Sequence, residues 1–120
     1  MKPAITSTEF GSITIAGRVY EHDVLIRADG TIEKRKKKLS KEIYGTSHKI
    51  SLAEAEQIYQ HGMELLIIGS GQTGFVELSA EAADFFSKEG CKVKLLPTPE
   101  AIVRWNEAKG KTTGLFHVTC

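Results

Sequence analysis

Cysteine, long apolar runs and recognised catalytic motifs are what this chain has little of. Two cysteines, Cys91 and Cys120, stand among 120 residues, too few for a disulfide framework and not spaced as a CxxC metal or redox pair. That usage predicts a reduced, cytoplasmic setting. The longest aliphatic run is Leu65-Leu66-Ile67-Ile68, far short of the roughly 20 apolar residues a spanning helix needs, so no membrane interaction is expected. Met1-Lys2-Pro3-Ala4 leads into polar residues without an apolar stretch, and no signal or transit peptide is expected. There is no GxSxG elbow or other catalytic signature, and no repeat, low-complexity tract or dividing linker.

What is present suits a soluble α/β domain covering residues 1–120. Hydrophobic residues make up 41% of the chain, enough for one core, and charged residues 26%, an ordinary surface. The net charge of +1 conceals an asymmetry: Lys34, Arg35, Lys36, Lys37, Lys38 and Lys41 leave ten basic against fifteen acidic residues elsewhere, a net −5. Such a run reads first as a solvated face or strand edge, where lysine blocks edge-to-edge pairing. Only Tyr44 lies near it to stack on a base, and the rest of the chain is acidic, so no nucleic-acid partner is expected.

The first third reads as β. Residues 12–15 alternate, Ala16-Gly17 offers a turn, residues 20–26 follow, and Asp29-Gly30 turns into residues 31–34. This predicts a meander of three short antiparallel strands, then an irregular connector over 35–48 with a turn at Gly45. Beyond it, helix and strand alternate. Ser51 and Glu54 form a capping box before Leu52, Ala55, Ile58 and Tyr59 at helical spacing. Residues 64–68 read as a doubly buried strand, a second helix runs from Leu78 or Ser79 to Gly90, and residues 91–96 form a strand. Thr98-Pro99-Glu100 predicts a helix start with a threonine cap, and residues 115–119 a last strand. This order argues for a mixed, mostly parallel central sheet with right-handed crossovers and an N-terminal β meander.

Gly69-x-Gly71-x-x-Gly74 directly follows the buried strand. Glycines there permit positive φ and close approach of backbone N–H groups to an anion. The dinucleotide fingerprint needs a helix opening within the motif and an acid at the end of the next strand; here residues 75–78 intervene and that strand ends Leu95-Leu96-Pro97. A tight turn out of a central strand is the plainer reading, and a small-anion or nucleotide site the sharper one. Ligands of open α/β sheets sit beyond the carboxyl ends of parallel strands, so the candidate ligand-binding residues are Gly69, Ser70, Gly71, Gln72, Thr73 and Thr98. A parallel last strand would bring Thr119 and Cys120 to the same edge; an antiparallel one would place Thr113 there instead. In an extended strand His117 and Cys120 point to opposite faces, so His117 activates Cys120 only if the strand ends first. His22, His48, His61 and His117 are scattered, and neither a metal nor a cofactor is expected. Glu54 with Glu56, and Glu81 with Asp84, read as solvated helix-surface pairs.

Phe10-Gly11, Tyr44-Gly45-Thr46-Ser47-His48, Ile67-Ile68-Gly69-Ser70-Gly71, Leu96-Pro97-Thr98-Pro99-Glu100-Ala101 with Trp105-Asn106-Glu107, and Phe116-His117-Val118-Thr119-Cys120 together resemble the small Mth-type domain of unknown function. The likeness covers nearly the whole chain in order and spacing. It extends to an adipogenesis-associated Mth-type domain protein and a mitochondrial complex I assembly factor. The resemblance implies a three-layer α/β/α-like fold with a mixed sheet and a β extension. It implies no catalytic residue, and favours a non-enzymatic binding, assembly or regulatory factor with a protein partner over a small enzyme or small-anion binder.

Overall fold

The computed structural model describes residues 2–120, and three sheets organise them. β1 (Ile5–Glu9), β2 (Ser12–Ile15) and β3 (Arg18–Tyr20) form an antiparallel meander in that order. β4 (Val24–Ile26) and β5 (Ile32–Lys34) leave it and join a five-stranded sheet ordered β5-β4-β10-β7-β9. In that sheet β7 (Leu65–Ser70) runs parallel to both β9 (Lys92–Leu96) and β10 (Thr112–His117), while β4 is antiparallel to β10. The short β6 (Lys49–Ile50) and β8 (Glu77–Leu78) pair in parallel at one side.

The expected mixed sheet and N-terminal meander are present, with the strands of the first third divided differently. Residues 20–26 are not one strand. The chain breaks after Tyr20, so β3 stays with β2 while β4 crosses to the main sheet. The expected turn at Ala16-Gly17 forms, with both residues at positive φ. Residues 35–48 are not wholly irregular either: α1 (Lys38–Tyr44) forms there and ends on Gly45 at φ 72°. Its short run hid the helical period.

Helices α2 (Leu52–Ile58), α3 (Ala80–Lys88) and α4 (Thr98–Glu107) follow β6, β8 and β9 in the chain. Ser51 and Ser79 cap α2 and α3, each hydroxyl accepting the N–H three residues on. The crossover from β7 to β9 passes through α3. The crossover from β9 back past β7 to β10 passes through α4. Because the direction reverses while the handedness is shared, the two helices fall on opposite faces of the sheet. Neighbouring residues therefore enter different cores: Leu66, Ile68 and Leu115 pack with Ile58, Met63 and Phe86, while Ile67 and Phe116 pack with Trp105, Ile5 and Ile13. β7 is buried on both sides, as its unbroken apolar run predicts.

Candidate functional site

The last strand runs parallel to β7, so the carboxyl ends of β7, β9 and β10 share one edge. Loops leave that edge toward opposite faces after β7 and after β9, which makes the gap between Gly71 and Thr98 the switch point of the sheet. All six sequence-predicted residues gather around it, and their polar groups turn onto one another and onto the last strand. Gly71 N–H donates to Thr98 Oγ1 (2.9 Å), Thr98 N–H donates to the Gly71 carbonyl (2.9 Å), and the Thr98 hydroxyl donates to the His117 carbonyl (2.7 Å). Gln72 N–H donates to the Thr119 carbonyl (2.7 Å), while Phe75 N–H (3.2 Å) and the Thr73 hydroxyl (3.0 Å) both donate to the Cys120 backbone oxygen. The Gln72 amide reaches the meander at Thr8 Oγ1, 3.0 Å away.

Two glycines make this closure feasible. Gly71 sits at φ 108°, and a Cβ there would lie 2.3 Å from the Cys120 carbonyl carbon. A Cβ on Gly69 would come within 2.9 Å of both Phe116 Cδ1 and Thr98 Oγ1. The glycine-rich turn is thus a socket for residues 119 and 120. Thr98 is held between Gly71 and His117 and makes no side-chain cap on α4, whose N-cap is Pro97; the expected threonine cap is not formed.

Beneath this edge runs a buried polar seam. Arg35 grips Glu54 with two bonds, Nε to Oε2 at 2.7 Å and Nη2 to Oε1 at 3.0 Å, and gives Nη1 to Asp23 Oδ2 at 3.0 Å. The same Asp23 oxygen meets His117 Nδ1 at 2.7 Å, and Oδ1 accepts Val118 N–H at 3.0 Å. Ser40 donates its hydroxyl to Glu54. Burial by itself would raise the Asp23 carboxyl pKa, but the His117 hydrogen bond and charge, the Val118 N–H and Arg35 hold it at about 2. Burial would lower the Arg35 pKa, and the paired Glu54 and Asp23 carboxylates raise it instead.

Glu54 is therefore no solvated surface acid: it is fully buried. It does not close the capping box either, for Ser51 N–H donates to Ser40 Oγ at 2.9 Å while Glu54 faces Arg35. Arg35, read as part of a solvated basic run, is buried too, whereas Lys34, Lys36, Lys37, Lys38 and Lys41 are exposed. Glu56, Glu81 and Asp84 do lie on the surface.

At the outer end of the seam, β10 ends at His117, and the chain turns so that Cys120 is no longer held on the opposite face. His48, His117 and Cys120 bring one donor atom each to within 4.8 Å of one another. Cys120 Sγ lies 3.8 Å from His48 Nε2, and the His48 and His117 rings meet edge-on with centroids 5.4 Å apart. The histidines are far apart in sequence, yet two of them meet here, a cluster that spacing alone does not signal. Phe75 closes the outer side of His48 edge-on, with centroids 6.4 Å apart.

The sequence signature of a family described as proteins of unknown function, DUF498/DUF598, matches residues 5–114. The chain belongs to that family. A conserved hypothetical protein from Pyrococcus horikoshii OT3 is 33% identical with a TM-score of 0.90, covering 97% of this chain and 98% of its own. A solved structure named MT938 is 35% identical with a TM-score of 0.83, covering 99% and 100%. A Bordetella pertussis protein described as a Mth938-like domain shares the fold at 15% identity and a TM-score of 0.63, over 97% of this chain and 85% of its own. The resemblance drawn from the sequence motifs and these neighbours agree on the same small domain of unknown function.

Proposed function

We propose that this DUF498/DUF598 domain is a non-enzymatic binding or assembly factor that presents the carboxyl edge of its sheet to a protein partner in the cytoplasm. The observation that carries the reading is the exposure of Phe10 (70%) and Phe75 (62%) on the two turns that hold residues 118–120. Gly11 N–H bonds Val118 and Phe75 N–H bonds Cys120, so both aromatics flank the socket rather than floating on a loose loop. Aromatic side chains, phenylalanine among them, are enriched at protein–protein interfaces relative to the rest of a surface. No nucleic-acid partner is assigned, because Arg35 is turned inward and the exposed lysines have few aromatics beside them.

The second reading is a small anionic ligand or nucleotide at Gly69, Ser70, Gly71, Gln72, Thr73 and Thr98. It is favoured by the location of these residues at the switch point, and it requires such a ligand to displace the Cys120 backbone oxygen from Thr73 and Phe75. Thermal unfolding of the intact chain with ATP, NAD and inorganic phosphate separates the two, since a ligand at 100 times its Kd adds about 2.7 kcal/mol. The expected result is no shift with any of them. A reproducible rise would replace the partner-binding reading with the ligand-binding one.

A further inference from the structure

We infer that His48, His117 and Cys120 form a binding site for a divalent transition-metal ion of the zinc class. The three residues come from separate segments, before β6, at the end of β10 and beyond it, yet their donor atoms lie within 4.8 Å of one another. Zn–S bonds of about 2.3 Å and Zn–N bonds of about 2.0–2.1 Å in a tetrahedron set sulfur and nitrogen about 3.6 Å apart. Cys120 Sγ and His48 Nε2, at 3.8 Å, already stand close to that separation.

The second observation is the orientation of His117. Asp23 takes its Nδ1 at 2.7 Å, which leaves Nε2 as the nitrogen free to ligate. A carboxylate on the far nitrogen of a ligating histidine is the usual arrangement around protein-bound zinc, where it fixes the ring and raises its basicity. Thr119 Oγ1 sits 3.1 Å from Nε2, and the threonine side chain turns about its χ1 bond to admit an ion.

Two imidazoles and a thiolate are borderline-to-soft donors, which select zinc-class ions over magnesium or calcium. Three protein ligands leave a fourth tetrahedral position open, and His48 and Cys120 are themselves only half-buried. Such an open site takes water or a donor atom from a bound molecule.

Metal binding here does not depend on a protein partner, and it is tested on this chain, untagged and reduced. Zinc is titrated in competition with a chromophoric chelator, and cobalt(II) is added separately and followed by absorption. The expected result is one metal per chain and a cobalt spectrum with tetrahedral bands and a thiolate-to-cobalt charge-transfer band. Cys120→Ser removes that band, and His48→Ala weakens zinc binding at least about 10-fold. Failure to bind one equivalent, a cobalt spectrum without the thiolate band, or undiminished binding in both variants would overturn the assignment. The wild-type cobalt spectrum reads thiolate ligation directly, so the test stands even if neither variant folds.

Discussion

Neighbouring residues of β10 enter two differently built sides of the same sheet. Phe116 turns into a mainly apolar layer, where its ring meets Trp105 edge-on with centroids 5.9 Å apart. His117 turns into the seam of Asp23, Arg35 and Glu54. The first side gains stability from area removed from water. The second gives much of its Coulombic attraction back as desolvation, and what it yields is position: it fixes the His117 ring and the start of residues 118–120. The seam and the candidate site thus lie on the face of β10 that His117 shares with Leu115, at the end of that face's own apolar core.

Removing one member from either side is expected to be the most damaging change. Trp105→Ala empties a fully buried site and is expected to cost about 3–5 kcal/mol. Arg35→Ala, which strands two buried carboxylates, is expected to cost about 3–5 kcal/mol as well. Denaturant unfolding measures both. The contrast sharpens in the paired variant Arg35→Met with Glu54→Leu, which is expected to be more stable than Arg35→Ala alone; a paired loss as large as the single one would mean the seam holds the fold by attraction.

The socket comes next. Gly71→Ala forces a Cβ against the Cys120 backbone at an unfavourable φ, and a destabilisation of about 2 kcal/mol is expected. It should appear together with faster amide exchange at Gln72 and Phe75, whose N–H groups bond residues 119 and 120. Ser79→Ala removes one N-cap and is expected to cost about 1 kcal/mol.

A pH-dependent effect belongs to Cys91, on the apolar side of the same face as the seam. Burial pushes its thiol up to about 11 from a usual value of 9.0. A group whose pKa rises on folding stabilises fully below its unfolded value and loses that contribution as pH climbs through the folded one. The stability of the wild type should therefore decline between pH about 9 and about 11 more steeply than that of Cys91→Ala, as thermal melts across that range would show. At neutral pH the buried thiol should also resist alkylation in the native state.

The alternating second half of the chain was legible because its signals are local. Ser51, Ser79 and the unbroken run into β7 each act within a few residues, and the helices and strands follow from them. Gly71 was legible as a turn glycine for the same reason, though not as the seat of Cys120. The polar seam was hidden because its members sit in segments whose local pattern argues for something else. Arg35 stands in a basic run and Glu54 in the first turn of an amphipathic helix, where solvent is the ordinary partner for each.

By itself the sequence determined the class of fold, the parallel direction of the strands at 64–68 and 91–96, the edge where Gly69–Thr73 and Thr98 gather, and the family. Those depend on periodicity, caps and turn chemistry, which the chain carries residue by residue. Only the tertiary structure decided that β10 runs parallel to β7, that the glycine turn holds the chain's own last residues, and that Asp23, Arg35, Glu54, His48, His117 and Cys120 meet. Charges and ligand atoms from distant segments find partners only once the sheet has fixed the distances between them, and the local pattern holds no record of those distances.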